Sequence, residues 1–197
     1  DLVRSRGLGD VYKRQAILFP NDVTGISEYA DAIFFMSLLN SSNPRYIIEA
    51  QALGAPLVKR YGLETIPLGY LIVGENTGAA GYIGHARAIP SHKPELAAMY
   101  ALAAQYLGMR FVYLEAGSGA RKPIRPEMIR TVKNSLDIPL IVGGGIRTPH
   151  EAEAAAKAGA DVIVTGSIVE GSSLKNMRKI IDGIRHARSH VGETSAG

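Results

Sequence analysis

The chain has 197 residues, of which 46% are hydrophobic, and these values fit one globular domain with a sizeable core. It contains no cysteine, which excludes disulfide bonds, thiolate metal sites and cysteine nucleophiles. The net charge of +4 does not indicate a nucleic-acid-binding protein, because acidic and basic residues are interspersed. No apolar run is long enough to cross a bilayer and no signal peptide is visible, so we expect a cytoplasmic protein.

The first fifteen residues, DLVRSRGLGDVYKRQ, have no hydrophobic period. Their last six residues are those that GATGTGTATAAGAGACAG encodes, which resembles the end sequence of a transposase used to prepare sequencing libraries. We therefore expect residues 1–15 to be an adapter-derived, non-native segment, followed by a domain over residues 16–188 and a polar tail over 189–197. The alternative is a divergent N-terminal arm.

From Ala16 onward, short apolar segments alternate with amphipathic ones, a pattern that predicts a parallel sheet flanked by helices. The apolar runs are continuous rather than alternating, as expected for strands that are covered on both faces. The predicted strands are Ala16–Pro20, Ala32–Leu39, Glu64–Val73, Arg110–Glu115, Pro139–Val142 and Asp161–Thr165.

The helices predicted between these strands carry recognisable start and stop signals. The clearest is TPHEAEAAAKAG, in which Thr148 and Glu151 form a capping box, Pro149 lies in the first turn and Gly159 follows the last. The others begin at Pro44 after an Asn43 cap and end at Gly62, run from Pro94 to Gly108, and run from about Ser173 to Ala187.

Two architectures are compatible with this alternation: an open doubly wound sheet and a (β/α)8 barrel. A barrel usually takes about 250 residues, and this chain has six strand–helix units, so counting does not decide between them. The turns after the last two predicted strands favour the barrel. Gly143, Gly144 and Gly145 follow one strand, and Gly166 and Ser167 follow the next, as in the phosphate site of a barrel's seventh and eighth loops.

These turns predict a phosphate site because glycine has no Cβ, so that backbone N–H groups can approach phosphate oxygens closely. The alternative is that the glycines only make tight turns. The preceding strand ends in YLEAGSGA, which places Glu115 where barrel enzymes carry catalytic residues and Tyr113 on the same side of the strand. Glu115 could orient a hydroxyl group or accept its proton, or form a structural salt bridge at the rim.

The motifs YLEAGSGA, IVGGGIR and ADVIVTGSIVE, with FPNDVTGISEYADAIFFMSLLNS upstream, resemble the geranylgeranylglyceryl phosphate synthase family. This resemblance implies a TIM barrel of the phosphate-binding type, with about six of its eight units present. It also implies a Mg²⁺-assisted reaction in which the 3-hydroxyl of sn-glycerol 1-phosphate attacks C1 of a polyprenyl diphosphate as diphosphate leaves.

By the same resemblance, Glu115 and Tyr113 are the catalytic residues and the glycerol phosphate is held by three loops. The family commonly has Asn where this chain has Ser167, and a serine still offers a hydroxyl and a backbone donor. The implied binding residues are Tyr113, Leu114, Glu115, Ala116, Gly117, Ser118, Gly119, Gly143, Gly144, Gly145, Gly166 and Ser167.

The family's first strand ordinarily ends in the Asp that holds Mg²⁺, and its second in a Gly-Gly-Ser/Thr turn of the same site. Neither is visible in this chain, so we expect its metal ligands to lie in missing N-terminal strands and the chain itself to be an inactive fragment. We further expect a homo-oligomer with peripheral membrane contact through the lipid product, and the interspersed charges predict no nucleic acid partner.

Several residues allow more than one structural or functional interpretation. Tyr82 and His85, in the long loop Gly74–Pro94, are candidates for lining a prenyl tunnel or for a solvated surface. Asn40 and Ser41 could face the active-site mouth or cap a helix. Arg121, Lys122 and Arg125 could meet a diphosphate or form a charged rim, and the helix AAMYALAAQY could pack closely, border the tunnel or contact another subunit.

Two other functions remain open at this stage. The first is another phosphate-binding barrel enzyme, either a sugar-phosphate isomerase or a flavin oxidoreductase, although Glu115 within YLEAGSG argues against both. The second is a degenerate, non-catalytic barrel that binds phosphate or forms oligomers.

Overall fold

The computed structural model describes residues 15–74, 78–166 and 174–191. In these ranges, the strands form one parallel sheet in which each strand pairs with its neighbour in the chain. The strands are β1 (Ile17–Leu18), β2 (Ala32–Leu38), β3 (Glu64–Ile72), β4 (Phe111–Glu115), β5 (Leu140–Gly143) and β6 (Val162–Val164). All six predicted strands are confirmed, with ends that differ by one or two residues.

The sheet is strongly curled. The ring of Phe19, which directly follows β1, lies 5.7 Å from the ring of Tyr70 on β3 and also 5.7 Å from that of Tyr113 on β4. In a flat sheet β1 and β4 would be about 14 Å apart, because neighbouring strands are spaced by about 4.8 Å. Contact across three strand spacings therefore requires the six strands to close toward one another as a partial barrel.

Alternating side chains divide the core between two faces of this curled sheet. The inner face carries a cluster formed by residues of β2 to β5, including Leu68, Tyr70, Tyr113 and Ile141. The outer face packs against the helices in a larger cluster that contains Leu114. Both faces are thus covered, which explains why the strands read as continuous apolar runs.

The helices are α1 (Ala50–Tyr61), α2 (Gly78–Ile83), α3 (Pro94–Tyr106), α4 (Pro126–Lys133), α5 (Pro149–Lys157) and α6 (Leu174–Val191), with one π-helical turn over Arg45–Glu49 before α1 and one 3₁₀ turn over Val23–Gly25. The capping box of Thr148 and Glu151 is confirmed. So is the stop at Gly62, which adopts a left-handed φ of 64°.

Helix α4 was not predicted from the sequence, although its signals are present. Pro126 occupies the first turn, and the buried side chains of Met128, Ile129 and Val132 follow at helical spacing. The long loop after β3 also contains the short helix α2. None of the described helices is long and apolar enough to cross a bilayer.

Asn40 fastens the carboxyl ends of β2 and β3 to the loop that follows β3. Its buried side-chain amide donates to the carbonyl oxygens of Ile72 (2.9 Å) and Arg87 (3.0 Å), and its oxygen accepts from the N–H of Ile72 (3.2 Å). The side chain is therefore occupied by backbone groups, and it caps no helix. Ser41 instead binds the carbonyl oxygen of Gly84 at 2.6 Å.

We predict that Asn40→Ala lowers the free energy of unfolding by about 2–4 kcal/mol, because it leaves buried backbone groups without partners. Asn40→Asp keeps the acceptor for the Ile72 N–H but loses both donated bonds and introduces a buried charge, so it should be at least as destabilising. Ser42→Ala, at an exposed neighbouring position, serves as the control. Urea denaturation measures all three, and a loss below about 0.5 kcal/mol for Asn40→Ala would contradict this role.

Candidate active site at the carboxyl ends of the strands

Strand β4 carries the central side chains of the site. Tyr113 and Glu115 are two residues apart and point to the inner face, where both are buried. Leu114 points to the opposite face and packs in the core between sheet and helices. Of the predicted binding residues on this strand, only Tyr113 and Glu115 thus bring side chains to the inner face, and Leu114 could contribute there through its backbone alone.

The Glu115 carboxylate is held by two hydrogen bonds in a nearly closed environment. The N–H of Gly117 donates to Oε1 at 2.7 Å, and the Tyr113 hydroxyl is a second partner. Burial raises the pKa of Glu115 above its ordinary value, and the two hydrogen bonds partly oppose this rise. A carboxyl group with a raised pKa is a better proton acceptor once it is ionised.

Two tyrosines surround this carboxylate. The Tyr70 and Tyr113 rings meet edge to face with centroids 5.0 Å apart. Burial raises the pKa of both hydroxyls above the ordinary range, and the Glu115 charge raises them further. Both therefore remain neutral phenols at physiological pH, and Tyr113 can donate a hydrogen bond to Glu115.

The glycine turn after β5 lies directly against this group. A Cβ atom placed on Gly143 would overlap the Tyr113 hydroxyl, and one on Gly144 would lie 2.5 Å from Glu115 Oε1. A Cβ atom on Gly145 would similarly lie 2.7 Å from the backbone of Lys122. Gly144 and Gly145 also have positive φ values of 83° and 74°. The structure therefore brings the predicted phosphate turn and the glutamate loop together, with no room for a side chain between them.

The backbone donors of this turn are available to a ligand. Among the described residues, none accepts a hydrogen bond from the N–H of Gly144 or Gly145. Such free donors next to positive-φ glycines are suited to an anion. Gly166, at the end of the neighbouring strand, is exposed. Ser167 lies outside the described residues, so its predicted role stays a prediction.

A largely apolar cavity of about 630 Å³ begins beside this group, where Ser118 and Tyr70 form part of its wall. It extends along the inner side of β2 toward the 3₁₀ turn after β1 and the first turns of α1. Its other walls include Phe34, Met36, Tyr46, Gly54, Ile83 and Ile26. The chain thus places an elongated apolar space next to a polar, anion-suited turn.

Tyr82 and His85, the residues considered for a tunnel wall, do not line this cavity. The Tyr82 side chain is 86% exposed, and His85 is an exposed residue whose ring stacks on that of Tyr46. The walls come instead from their neighbours on α2, Ala79, Ala80 and Ile83, and from the segment after β2. The sequence feature that could have predicted this wall is the run of small residues GAAG (78–81). Small residues there allow α2 to approach the Ser118 backbone closely.

No group of three or more Asp, Glu, His or Cys side chains that could hold a metal ion occurs in the part of the chain that the structure describes. The donor set around Glu115, one carboxylate already bound to an N–H and a phenol, does not fit a Mg²⁺ site. We therefore derive no step through Mg²⁺ from these residues.

We predict that Gly144→Ala abolishes anion binding at this turn and destabilises the fold, because its Cβ would collide with Glu115 and the Ala116 N–H at a positive φ. Gly108→Ala is the matched control, since Gly108 has a similar φ of 86° but nothing within 4 Å of the added methyl group. The control should lose only about 1 kcal/mol. Thermal unfolding with and without phosphate measures both variants, and equal effects would contradict the predicted collision.

We predict that Glu115→Gln stabilises the chain at neutral pH. The folded-state pKa of Glu115 is raised, so ionising the buried carboxyl costs folding free energy as pH rises from its ordinary value of 4.5 through the raised one. The amide keeps an acceptor for the Gly117 N–H without this charge. The free energy of unfolding, measured from pH 4 to pH 8, should decline with rising pH in the parent chain and should decline less in the variant. A variant less stable than the parent at pH 7 would contradict the prediction.

Curated relatives of high similarity exist. The geranylgeranylglyceryl phosphate synthase of Thermococcus kodakarensis is 63% identical over 166 residues, which cover 83% of this chain and 66% of that protein. The synthase of Pyrococcus abyssi is 60% identical over 170 residues, which cover 86% of this chain and 67% of the relative. The chain thus spans about two thirds of the length of these relatives.

Solved structures with a similar fold also exist. The (S)-3-O-geranylgeranylglyceryl phosphate synthase of Thermoplasma acidophilum, determined in complex with its substrate sn-glycerol-1-phosphate, superposes with a TM-score of 0.84 at 45% identity, covering 87% of this chain and 70% of that one. The wild-type enzyme of Thermoplasma volcanium gives a TM-score of 0.82 at 47% identity, covering 86% and 69%.

The family comparison extends over nearly the whole chain. The PcrB family model matches residues 5–184, which include every strand and all the site residues described above. Together with the identity to the curated relatives, this match means that the chain belongs to the PcrB family.

Proposed function

We propose that this chain is the phosphate-binding part of a prenyltransferase that joins a polyprenyl diphosphate, such as geranylgeranyl diphosphate, to the 3-hydroxyl of sn-glycerol 1-phosphate in ether-lipid synthesis. The observation that carries the proposal is the contact between the buried Glu115 and the glycine turn Gly143–Gly145. It places a proton acceptor and an anion-suited turn within one small ligand's reach. The names of the relatives, and the substrate named with the Thermoplasma acidophilum structure, support the same chemistry.

In this proposal, the phosphate lies against the free N–H groups of Gly144 and Gly145, and the residues after β6, Gly166 and Ser167, complete its site. The glycerol hydroxyl groups then reach the Glu115 carboxylate. Glu115 orients the 3-hydroxyl and accepts its proton as the oxygen bonds to C1 of the prenyl group and diphosphate departs. Tyr113 holds the carboxylate in place through its hydroxyl.

The apolar cavity is the space proposed for the prenyl chain. It begins at Ser118 and Tyr70, beside the glutamate, and its lining is mostly aliphatic or aromatic. A hydrocarbon chain in this space would remove apolar surface from water along its length. We further propose that the active protein forms an eight-stranded barrel and that its Mg²⁺ is held by residues other than those of this site.

The first test is calorimetric titration of the chain with sn-glycerol 1-phosphate. We expect saturable binding that is tighter than that of inorganic phosphate, because the glycerol hydroxyls add a charge-assisted hydrogen bond to Glu115. Glu115→Gln should weaken this binding about tenfold or more while leaving the affinity for inorganic phosphate nearly unchanged. Equal affinities of the parent chain for the two ligands, or no binding by folded protein, would contradict the proposal.

A prenyl-transfer assay with geranylgeranyl diphosphate and Mg²⁺ follows on the same protein. We expect no measurable product, because the described residues contain no group of three or more side chains that could hold the metal that neutralises diphosphate. Transfer by this chain would support the proposed reaction and overturn the expectation of inactivity. Glu115→Gln would then be expected to lower the rate at least about a hundredfold.

A further inference from the structure

The loops that follow β3, β4 and β5 are strongly asymmetric in charge. Their described residues, 78–93, 116–125 and 144–148, contain six lysines and arginines and no aspartate or glutamate. All six side chains belong to exposed residues, and the structure gives none of them a salt bridge with a described acid. The six are Arg87, Lys93, Arg121, Lys122, Arg125 and Arg147.

These loops lie together at one edge of the molecule. The carboxyl ends of parallel strands share an edge of the sheet, and close contacts join the three loops there. A Cβ on Gly78 would lie 3.1 Å from the Ser118 carbonyl oxygen, and one on Gly145 would lie 2.7 Å from the Lys122 carbonyl. The cations therefore surround one face, and Ser118 and α2 on that face form part of the wall of the apolar cavity.

Three acidic groups near this face are already engaged, whereas the exposed Glu95 and Glu127, in the first turns of α3 and α4, directly follow two of the basic loops. Glu115 is buried and bound to Gly117. Glu151 accepts hydrogen bonds from the N–H groups of Arg147 and Thr148 within the capping box. Asp22, near the cavity, pairs with Arg45 at 3.4 Å. Within the loops themselves, the described residues present six cations and no acid, so that cations outnumber the exposed acids on this face.

The same face exposes large apolar side chains. Tyr82 is 86% exposed and Ile83 is 59% exposed, both on α2, which forms part of the cavity wall. A binding site for small anions does not require a tyrosine that points into solvent. Exposed tyrosine next to lysine and arginine is instead the composition that favours the interface of an anionic bilayer, where the ring enters the headgroup layer and the cations meet lipid phosphates.

We propose that this face, formed by α2 and the three basic loops, docks on an anionic membrane surface. Docking places α2 and Ser118, which form part of the cavity wall, against the bilayer, from which a polyprenyl chain would enter and to which the lipid product would return. The inference rests on the proposed function, because it assigns the partner from which that site takes its apolar substrate.

The test is flotation of the whole chain with vesicles of phosphatidylcholine alone or with one third phosphatidylglycerol. We expect binding to the anionic vesicles only, and its loss at 0.5 M salt. Arg121→Gln with Lys122→Gln should lower the partition coefficient about thirtyfold, as expected for two cations near an anionic surface. Tyr82→Ser should lower it about tenfold through lost apolar burial.

Matched controls lie at the opposite edge of the sheet. Lys59→Gln with Arg60→Gln changes an adjacent exposed cation pair at the end of α1, just before β3 begins. Tyr106→Ser removes a tyrosine that is 77% exposed at the end of α3, before β4. Neither control should change the partition coefficient more than about twofold. Equal losses in the controls would show nonspecific attraction of a basic protein and overturn the proposal.

Two further measurements separate the possible failures. Binding of sn-glycerol 1-phosphate is titrated on the same preparations, and Tyr82→Ser should retain it. A chain that binds sn-glycerol 1-phosphate but no anionic vesicles overturns the docking surface alone, whereas vesicle binding without sn-glycerol 1-phosphate binding overturns the proposed function. Displacement of the chain from vesicles by millimolar sn-glycerol 1-phosphate would assign the cations to the soluble substrate and also overturn the docking proposal.

Discussion

The site depends on how a buried carboxylate is accommodated at the end of β4. Removing Glu115 from water disfavours its charge, and the hydrogen bonds from the Gly117 N–H and the Tyr113 hydroxyl compensate only in part. This arrangement requires a backbone that turns back on itself directly after the strand. It also requires a neighbouring strand that ends in glycines, because any side chain on Gly143 or Gly144 would overlap Tyr113 or Glu115. The glycines of the GGG motif are therefore needed to leave room for the buried Tyr113 and Glu115 of the YLEAGSG motif.

The curl of the sheet brings the remaining parts of the site within reach. Phe19, directly after the first strand, contacts Tyr70 and Tyr113, so an aromatic group fills the concave side where the strands converge. Beyond this group the interior widens into the apolar cavity, whose wall continues to the π-helical turn before α1. Hydrogen bonds from Ser37 to the Ile47 carbonyl, and from Gln51 to the carbonyls of Met36 and Tyr46, fasten that turn to β2. The polar end and the apolar end of the interior are thus built on the same strands.

Charge is distributed so that the two edges of the sheet differ. At the amino edge, Arg110 pairs with Glu64 and Lys133 with Asp161, whereas Lys59 and Arg60 at the end of α1 have no described ion-pair partner. At the carboxyl edge, the described residues 78–93, 116–125 and 144–148 of the loops after β3, β4 and β5 include six cations and no acid. A face of this kind attracts anions at long range, and both substrates proposed for the site are anions. The exposed Tyr82 gives that face an apolar element, which electrostatic attraction of soluble substrates alone does not explain.

Much of this structure could be predicted from local patterns. Continuous apolar runs identified all six strands, and the capping box and the glycine stops identified most helices, because these signals depend on neighbouring residues only. The glycine turn and Glu115 could be paired in advance, since consecutive strand ends share one edge of a parallel sheet. Helix α4 carries the same kind of local signals, in Pro126 and in the spacing of its apolar residues.

Other features were decided only by the tertiary structure. The orientation of the Asn40 side chain depends on the backbone groups of Ile72 and Arg87, which are more than thirty residues away in the chain. The exposure of Tyr82 depends on the path of a long loop. The cavity is likewise bounded by β2, α1 and α2, which no single stretch of sequence brings together. The sequence by itself determined the elements and the chemistry of the phosphate turn, because those follow from local backbone geometry. The tertiary structure decided which side chains are free to act, because that depends on which distant backbone groups reach them first.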